Sequence, residues 1–427
     1  MEFSKRSRPW SEINRLTERL AAIRRAGEPV LDWTLSSPLK ASLPYDRTAV
    51  DHALRRGHTW RYDPHPLGLY RARQAIAAVL HAEGMPVQPE QIAITSSTSE
   101  AYAWLFKLLC APGEGVAVPA PSYPLFEQLA GLEHVELRPY GLRYDGHWYV
   151  DEVALRYACG SPSQHDVGNP PQHLTLTRAL VTVHPNNPTG SYLSHEDSDL
   201  LMGQGLPLIC DEVFGPYRLP EWPGPQGCVN AAIESRHVMG PRSQTGVGGD
   251  PPVLTFHLDG LSKRAGLPHL KLGWIAVRGP SALVNEAMQR LEWIADAYLS
   301  PNAVVQEALP ELLASSEVVQ HAIRARIAIN YAQLLDRCQR TAVTVLCAQG
   351  GWYATLRLPH VQTDEQWALT LLEQARVYTH PGYLYDFDVA LHGCVLVVSL
   401  LLEEEDFERA VTSLLRVVRA ECGAGLT

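Results

Sequence analysis

Five short segments carry residue types that can do chemistry. LDGLSKRAGLPHLKLGW (258–274) places Lys263 just after an apolar run, in a Ser-Lys step among small residues. A lysine in a tight, partly desolvated pocket loses basicity and can form a Schiff base with an aldehyde. PLICDEVF (207–214) ends another apolar run in Asp211 and Glu212. A carboxylate at the end of a strand can pair with a pyridinium nitrogen and keep it protonated, which turns such a ring into an electron sink.

Three more segments complete the set. VTVHPNNPTG (181–190) is a strand running into a proline-stiffened turn, with the Asn187 amide free to donate toward a ring oxygen. In ITSSTSEAYAWLF (94–106), Ser96, Ser97, Thr98 and Ser99 open a helix. Free N–H groups and hydroxyls at a helix start suit a phosphate. Tyr123, in VPAPSYPLF (118–126), follows a strand and a proline turn and can lay its ring over a flat ligand. Each segment has a plainer reading alone: a surface lysine, a capping or metal-binding Asp, an ordinary turn, a Ser/Thr cap beside Glu100, a core tyrosine. Together they favour one shared site.

The elements that position these residues are legible as an alternation. IAIT (92–95), GVAVP (115–119), ALVTVH (179–184), PLICDE (207–212), VLTFHL (253–258) and LGWIAV (272–277) read as short apolar strands. Helices are expected over 11–27, 69–83, 101–109, 122–132, 281–298 and 316–340. Strands alternating with helices predict an α/β fold with a mostly parallel sheet, whose chemistry lies beyond the strands' carboxyl ends. GGWYATLRL, ARVYTH and CVLVVSLLL read as later strands, followed by a terminal helix from about Glu404. Segments 159–173 and 239–252 are rich in Gly, Pro and polar residues and read as surface loops.

Composition sets the outer limits. The 427 residues are 46% hydrophobic and 19% charged, with a net charge of -10. That is a globular composition, and the length suggests two domains. No Lys/Arg-rich block argues for nucleic acid or an anionic membrane as partner. None of the eight cysteines forms a CxxC pair, so no metal site is expected, and Cys210 and Cys347 read as small buried hydrophobes. The N-terminal stretch has no apolar signal core and no run is long enough to span a bilayer, so the cytoplasm is the expected location.

Five motifs in order, SSTSEA, APSYP, HPNNPTG, DEVF and SKxxGLPxxKLGW, resemble the class I/II aminotransferases of pyridoxal-phosphate fold type I, from about Leu31 to about Leu415. The resemblance implies a three-layer αβα large domain over 56–310, and a smaller α/β domain built from both chain ends, 1–55 and 311–427. It implies pyridoxal 5'-phosphate as cofactor, Lys263 as the Schiff-base lysine and catalytic base, and Asp211 as partner of the ring nitrogen. Asn187 would bind the ring oxygen and Tyr123 would stack on the ring. Ser97, Thr98, Ser262 and Lys271 would hold the phosphate. Tyr62, in RYDPHPLG, would reach the phosphate of a neighbouring subunit, which implies a homodimer with shared active sites.

Three departures bear on substrate. Phe214 stands in DEVF where most relatives carry Tyr, and Lys271 stands where many carry Arg. Val397, in CVLVVSLL, occupies the place of the arginine that clamps a substrate carboxylate. Arg357 and Ser37 are candidates for substrate binding in its stead, with Lys40 and His380 behind them. The expected activity is transamination between an amino acid or related amine and an oxo acid. The alternative is a lyase, decarboxylating enzyme or cyclase on the same cofactor. A regulator that keeps the fold without catalysis is disfavoured, because no basic helix-turn-helix segment precedes the fold.

Overall fold

The computed structural model describes residues 3–4, 6–7, 14–56, 60, 62–160, 176–220 and 250–424. Most of the 159–173 and 239–252 segments lies outside the described residues. The chain begins with α1 (Arg15–Arg25), β1 (Leu31–Asp32), α2 (Arg47–Arg56) and α3 (Tyr70–Ala82). Next come β2 (Ile92–Thr95), α4 (Thr98–Leu109), β3 (Gly115–Ala120), α5 (Phe126–Leu132), β4 (Glu136–Tyr144), β5 (Trp148–Val150) and α6 (Glu152–Ala158). They are followed by β6 (Thr177–Val183), α7 (His195–Met202), β7 (Leu208–Asp211), β8 (Thr255–Gly260), α8 (Leu261–Arg264) and β9 (Gly273–Arg278). Two longer helices follow, α9 (Ser281–Asp296) and α10 (Ala303–Cys338). The C-terminal part holds β10 (Thr344–Val345), β11 (Tyr353–Leu358), α11 (Asp364–Ala375), β12 (Val377–Tyr378), β13 (His380–Pro381), α12 (Val389–His392), β14 (Cys394–Ser399) and α13 (Glu404–Ala424).

One eight-stranded sheet runs in the order β2-β9-β8-β7-β6-β3-β4-β5. The strands β4, β3, β6, β7 and β8 pair in parallel, while β2, β9 and β5 join antiparallel at the flanks. Alternate residues of the central strands face opposite cores. Val116, Val181, Ile209 and Phe256 pack toward α4, α5 and α9. Ala117, Leu180, Leu208 and Cys210 pack into the core on the other face. Both faces are covered, which is why these strands are apolar throughout and not alternating. The expected α/β architecture is thus present.

A second, antiparallel sheet, β10-β11-β14-β13, forms the smaller layer. Strand β1, from the other chain end, pairs with β12 through Leu31↔Val377 and Asp32↔Tyr378. Helix α10 joins the two parts. Val305, Leu309 and Leu312 pack beside α3 and the β2–β9 edge, whereas Ile323, Ile327 and Leu334 enter the core of the smaller layer. It begins thirteen residues before the expected start at 316 and carries Pro310 inside it. The division drawn at 310/311 therefore falls within one unbroken helix. Cys210 and Cys347 are both buried, as expected, and Cys210 is free.

Candidate active site

The carboxyl ends of the parallel strands converge on a cavity of about 260 Å³. Each wall comes from a strand end. Thr98 enters from the start of α4 after β2, Tyr123 from the turn after β3, and Asn187 from the turn after β6. Asp211 closes β7, and Gly260, Ser262 and Lys263 come from the β8–α8 junction. The smaller layer supplies Tyr353, His380 and Tyr385, and the N-terminal segment supplies Thr34 and Ser36.

Lys263 is fixed through its backbone. The Tyr217 hydroxyl donates to its carbonyl at 2.6 Å. The next residue, Arg264, is buried and held by Asp259 at 2.7 Å and Glu83 at 2.6 Å, while Asp259 also accepts the Gly260 N–H at 2.7 Å. The short turn α8 is thus clamped from both sides. Gly260 is needed here because a Cβ would lie 2.8 Å from the carbonyl oxygen of Leu272, the residue just before β9. The Lys263 ammonium lies 4.9 Å from the Trp352 ring centre and 5.5 Å from that of Phe214. Burial pushes its pKa down to about 8, with Asp211 opposing.

Asp211 is buried, and burial lifts its carboxyl to about 6. The Val213 N–H at 3.3 Å and the Tyr102 hydroxyl at 3.0 Å donate to its two oxygens and oppose that rise. A cationic partner facing Asp211 would favour the carboxylate further. Asn187 is buried, and its Oδ1 has no hydrogen-bond partner among the described residues. Buried polar groups are rarely left so, and an amide lining a cavity fits a ligand that completes it. At the start of α4, Ser97 caps by accepting from the Glu100 N–H at 3.2 Å, and Glu100 accepts from the Ser96 N–H at 2.6 Å. The first N–H groups of a helix have no partner within it, and the first residue of this one, Thr98, lines the cavity. A carboxylate, a lysine, an amide, an aromatic ring and a helix start around one cavity fit pyridoxal phosphate in its donor chemistry.

Other expected residues lie elsewhere. Ser97 caps its helix and is not among the lining residues. Lys271 is exposed, in left-handed backbone with φ 51°, while its neighbours Leu272 and Gly273 line the cavity. Ser37 precedes the short turn at Pro38–Lys40, and it is Ser36 that reaches the lining. Arg357 donates to the His392 carbonyl at 2.7 Å and stands 5.5 Å over the Tyr144 ring, away from the cavity. Lys40 is exposed. Tyr62 is 83% exposed and outside its own chain's cavity. Phe214 lines the cavity and packs edge-on against Trp352 and Tyr353.

Sequence reasoning missed Tyr102, Tyr217, Tyr353 and Tyr385. Tyr102 had a signal, since it stands one helical turn after Thr98 and shares its face. The others come from distant parts of the chain, and no local pattern marks them.

The family model described as aminotransferase class I and II matches residues 29–414. Tyrosine aminotransferase of Homo sapiens is 23% identical over 313 residues, which are 71% of this chain and 62% of that protein. An S-alkyl-thiohydroximate lyase of Arabidopsis thaliana is 25% identical over 280 residues, 63% of this chain and 52% of that protein. The chain spans less than two thirds of either relative's length. The solved structure of an alanine aminotransferase from Pyrococcus furiosus superposes with a TM-score of 0.78 at 20% identity, covering 98% of this chain and 100% of that one. The fold is shared across that whole length.

Proposed function

The chain belongs to the aminotransferase class I and II family, whose members use pyridoxal phosphate, and from that premise we propose that it is a pyridoxal-phosphate-dependent aminotransferase acting on an amino acid or related amine, with an oxo acid as second substrate. The observation that carries this reading is the meeting of Lys263, Asp211, Asn187 and Tyr123 on one cavity.

When bound, the cofactor supplies an electron sink for the substrate carbon that bears nitrogen. Lys263 would hold it at rest and would serve as general base toward the substrate carbon, for which a pKa near 8 is suited. Asp211 would hold a proton on the ring nitrogen, and Tyr102 and the Val213 N–H keep the Asp211 carboxylate oriented. Asn187 would donate to the ring oxygen and Tyr123 would stack on the ring. Thr98, Ser262 and the start of α4 would receive the phosphate, with Ser97 and Lys271 as the further phosphate-side residues that the family resemblance implies. Tyr62, exposed on its own chain, would serve the partner's site in a homodimer.

The test is a spectral screen of purified holoenzyme with single amino donors and no acceptor. Formation of the pyridoxamine form supports transamination. A second reading, a lyase on the same cofactor, is motivated by the likeness to the thiohydroximate lyase. It predicts fragmentation of the substrate with no pyridoxamine form.

A further inference from the structure

We propose that the wall made by His380, Tyr385, Tyr353 and Ser36 is the substrate-recognition subsite, and that it selects amines carrying an uncharged polar group, such as an amide, ester or hydroxyl, beside the reacting carbon. This rests on the transaminase reading of the same cavity and names its substrate class.

The charge in the cavity argues for it. Among the described lining residues no arginine is present, and the one lysine is Lys263. Asp211 already contributes a negative charge, and a bound phosphate adds more. A substrate carboxylate would enter without a fixed cation, and buried charge without a partner is strongly disfavoured. The nearest guanidinium on the facing strand, Arg357, is committed to the His392 carbonyl and the Tyr144 ring.

The geometry supplies what recognises a neutral group. His380 on β13 is directly opposite Val397 on β14, and Val397 is opposite Thr355 on β11. Residues paired across strands share a face. Val397 is buried in the core, so the polar group that reaches the cavity from this face is His380. Its Nδ1 is 2.9 Å from the Tyr385 hydroxyl. Burial pushes the imidazole's pKa down, with Asp32 opposing, and pushes the Tyr385 phenol well up. Both groups are therefore neutral near pH 7. In the tautomer in which Tyr385 donates to Nδ1, the ring proton sits on Nε2, which makes no hydrogen bond among the described residues; in the other tautomer Nε2 is a free acceptor. Ser36 and Tyr353 line the opposite end of the wall together. The subsite offers uncharged N–H and O–H groups framed by aromatic rings, which suits a carbonyl or hydroxyl.

The test titrates holoenzyme calorimetrically with 3-phenylpropanamide and with 3-phenylpropanoate, neither of which can react. In parallel, L-phenylalaninamide and L-alaninamide are compared with the parent amino acids by single-turnover formation of the pyridoxamine form. The expected result is an advantage of about tenfold or more for the amide in both assays. His380→Arg should shift that preference toward the acid. If that variant does not fold, His380→Gln should keep the preference and His380→Leu should weaken amide binding. An advantage for the carboxylate in the wild type overturns the subsite while leaving transamination standing. Amide-selective binding with no pyridoxamine from any donor keeps the subsite and overturns the transaminase reading.

Discussion

Tyr102 donates its hydroxyl proton to Oδ2 of Asp211 at 3.0 Å, one turn into the helix whose first residues face the same cavity. The helix proposed to receive the phosphate thus also orients the carboxylate proposed to face the ring nitrogen. A hydrogen bond to a charged group contributes about 1.5–3 kcal/mol. Tyr102→Phe should lower kcat/KM by about tenfold to a hundredfold. It should also raise the pH at which the bound cofactor's absorption changes. Unchanged spectra and rates would leave Tyr102 as core packing only.

Lys263 must be neutral to attack an aldehyde, and burial brings its pKa down to about 8. The rate at which apoenzyme takes up cofactor should rise about tenfold per pH unit below 8 and level off above it. Stopped-flow absorbance measures this directly. A rise continuing to pH 10 would mean an ordinary, solvated lysine.

Asp211 is raised to about 6 by burial. A carboxyl raised on folding binds more protons in the folded state between the unfolded value near 4 and 6. Apoprotein stability therefore falls as pH rises through that window. Asp211→Asn should remove a loss of about 2–3 kcal/mol between pH 4 and pH 6. Denaturant titrations of the two apoproteins at both pH values give the difference. The same variant should bind cofactor without supporting turnover. Equal pH slopes would contradict the burial argument.

Much of this site is local in sequence. Lys263, Asp211, Asn187, Tyr123 and Thr98 each stand at or just after the end of an apolar strand, and a parallel sheet brings such ends together. What was not legible depended on register and on distant chain segments. Arg357 lies on the same strand face as Tyr353 but four residues further along, roughly 13 Å away. Lys271 is exposed and sits in left-handed backbone at a residue that is not glycine, which its motif did not signal. The start of α10 was missed because Pro310 reads as a break, yet the helix continues through it. His380 reaches the cavity through strand pairing with Val397, which only the folded register reveals.

Tyr62 is 83% exposed and Trp60 is 94% exposed on either side of residue 61. If Tyr62 serves a neighbouring subunit, mixing Lys263→Ala with Tyr62→Phe protein should generate hybrid dimers with one intact site. Activity should then exceed that of either variant alone, read after denaturation and joint refolding. A mixture no better than its components would mean that Tyr62 acts within its own chain, or not at all.

Holding the cofactor is the role proposed for Lys263. The most direct measurement is borohydride reduction of the yellow holoenzyme, followed by proteolysis and mass analysis of the phosphopyridoxyl-labelled peptide. The expected result is a single label on Lys263, absent from the Lys263→Ala protein. A label on another lysine, or a reducible chromophore that survives the loss of Lys263, would contradict it.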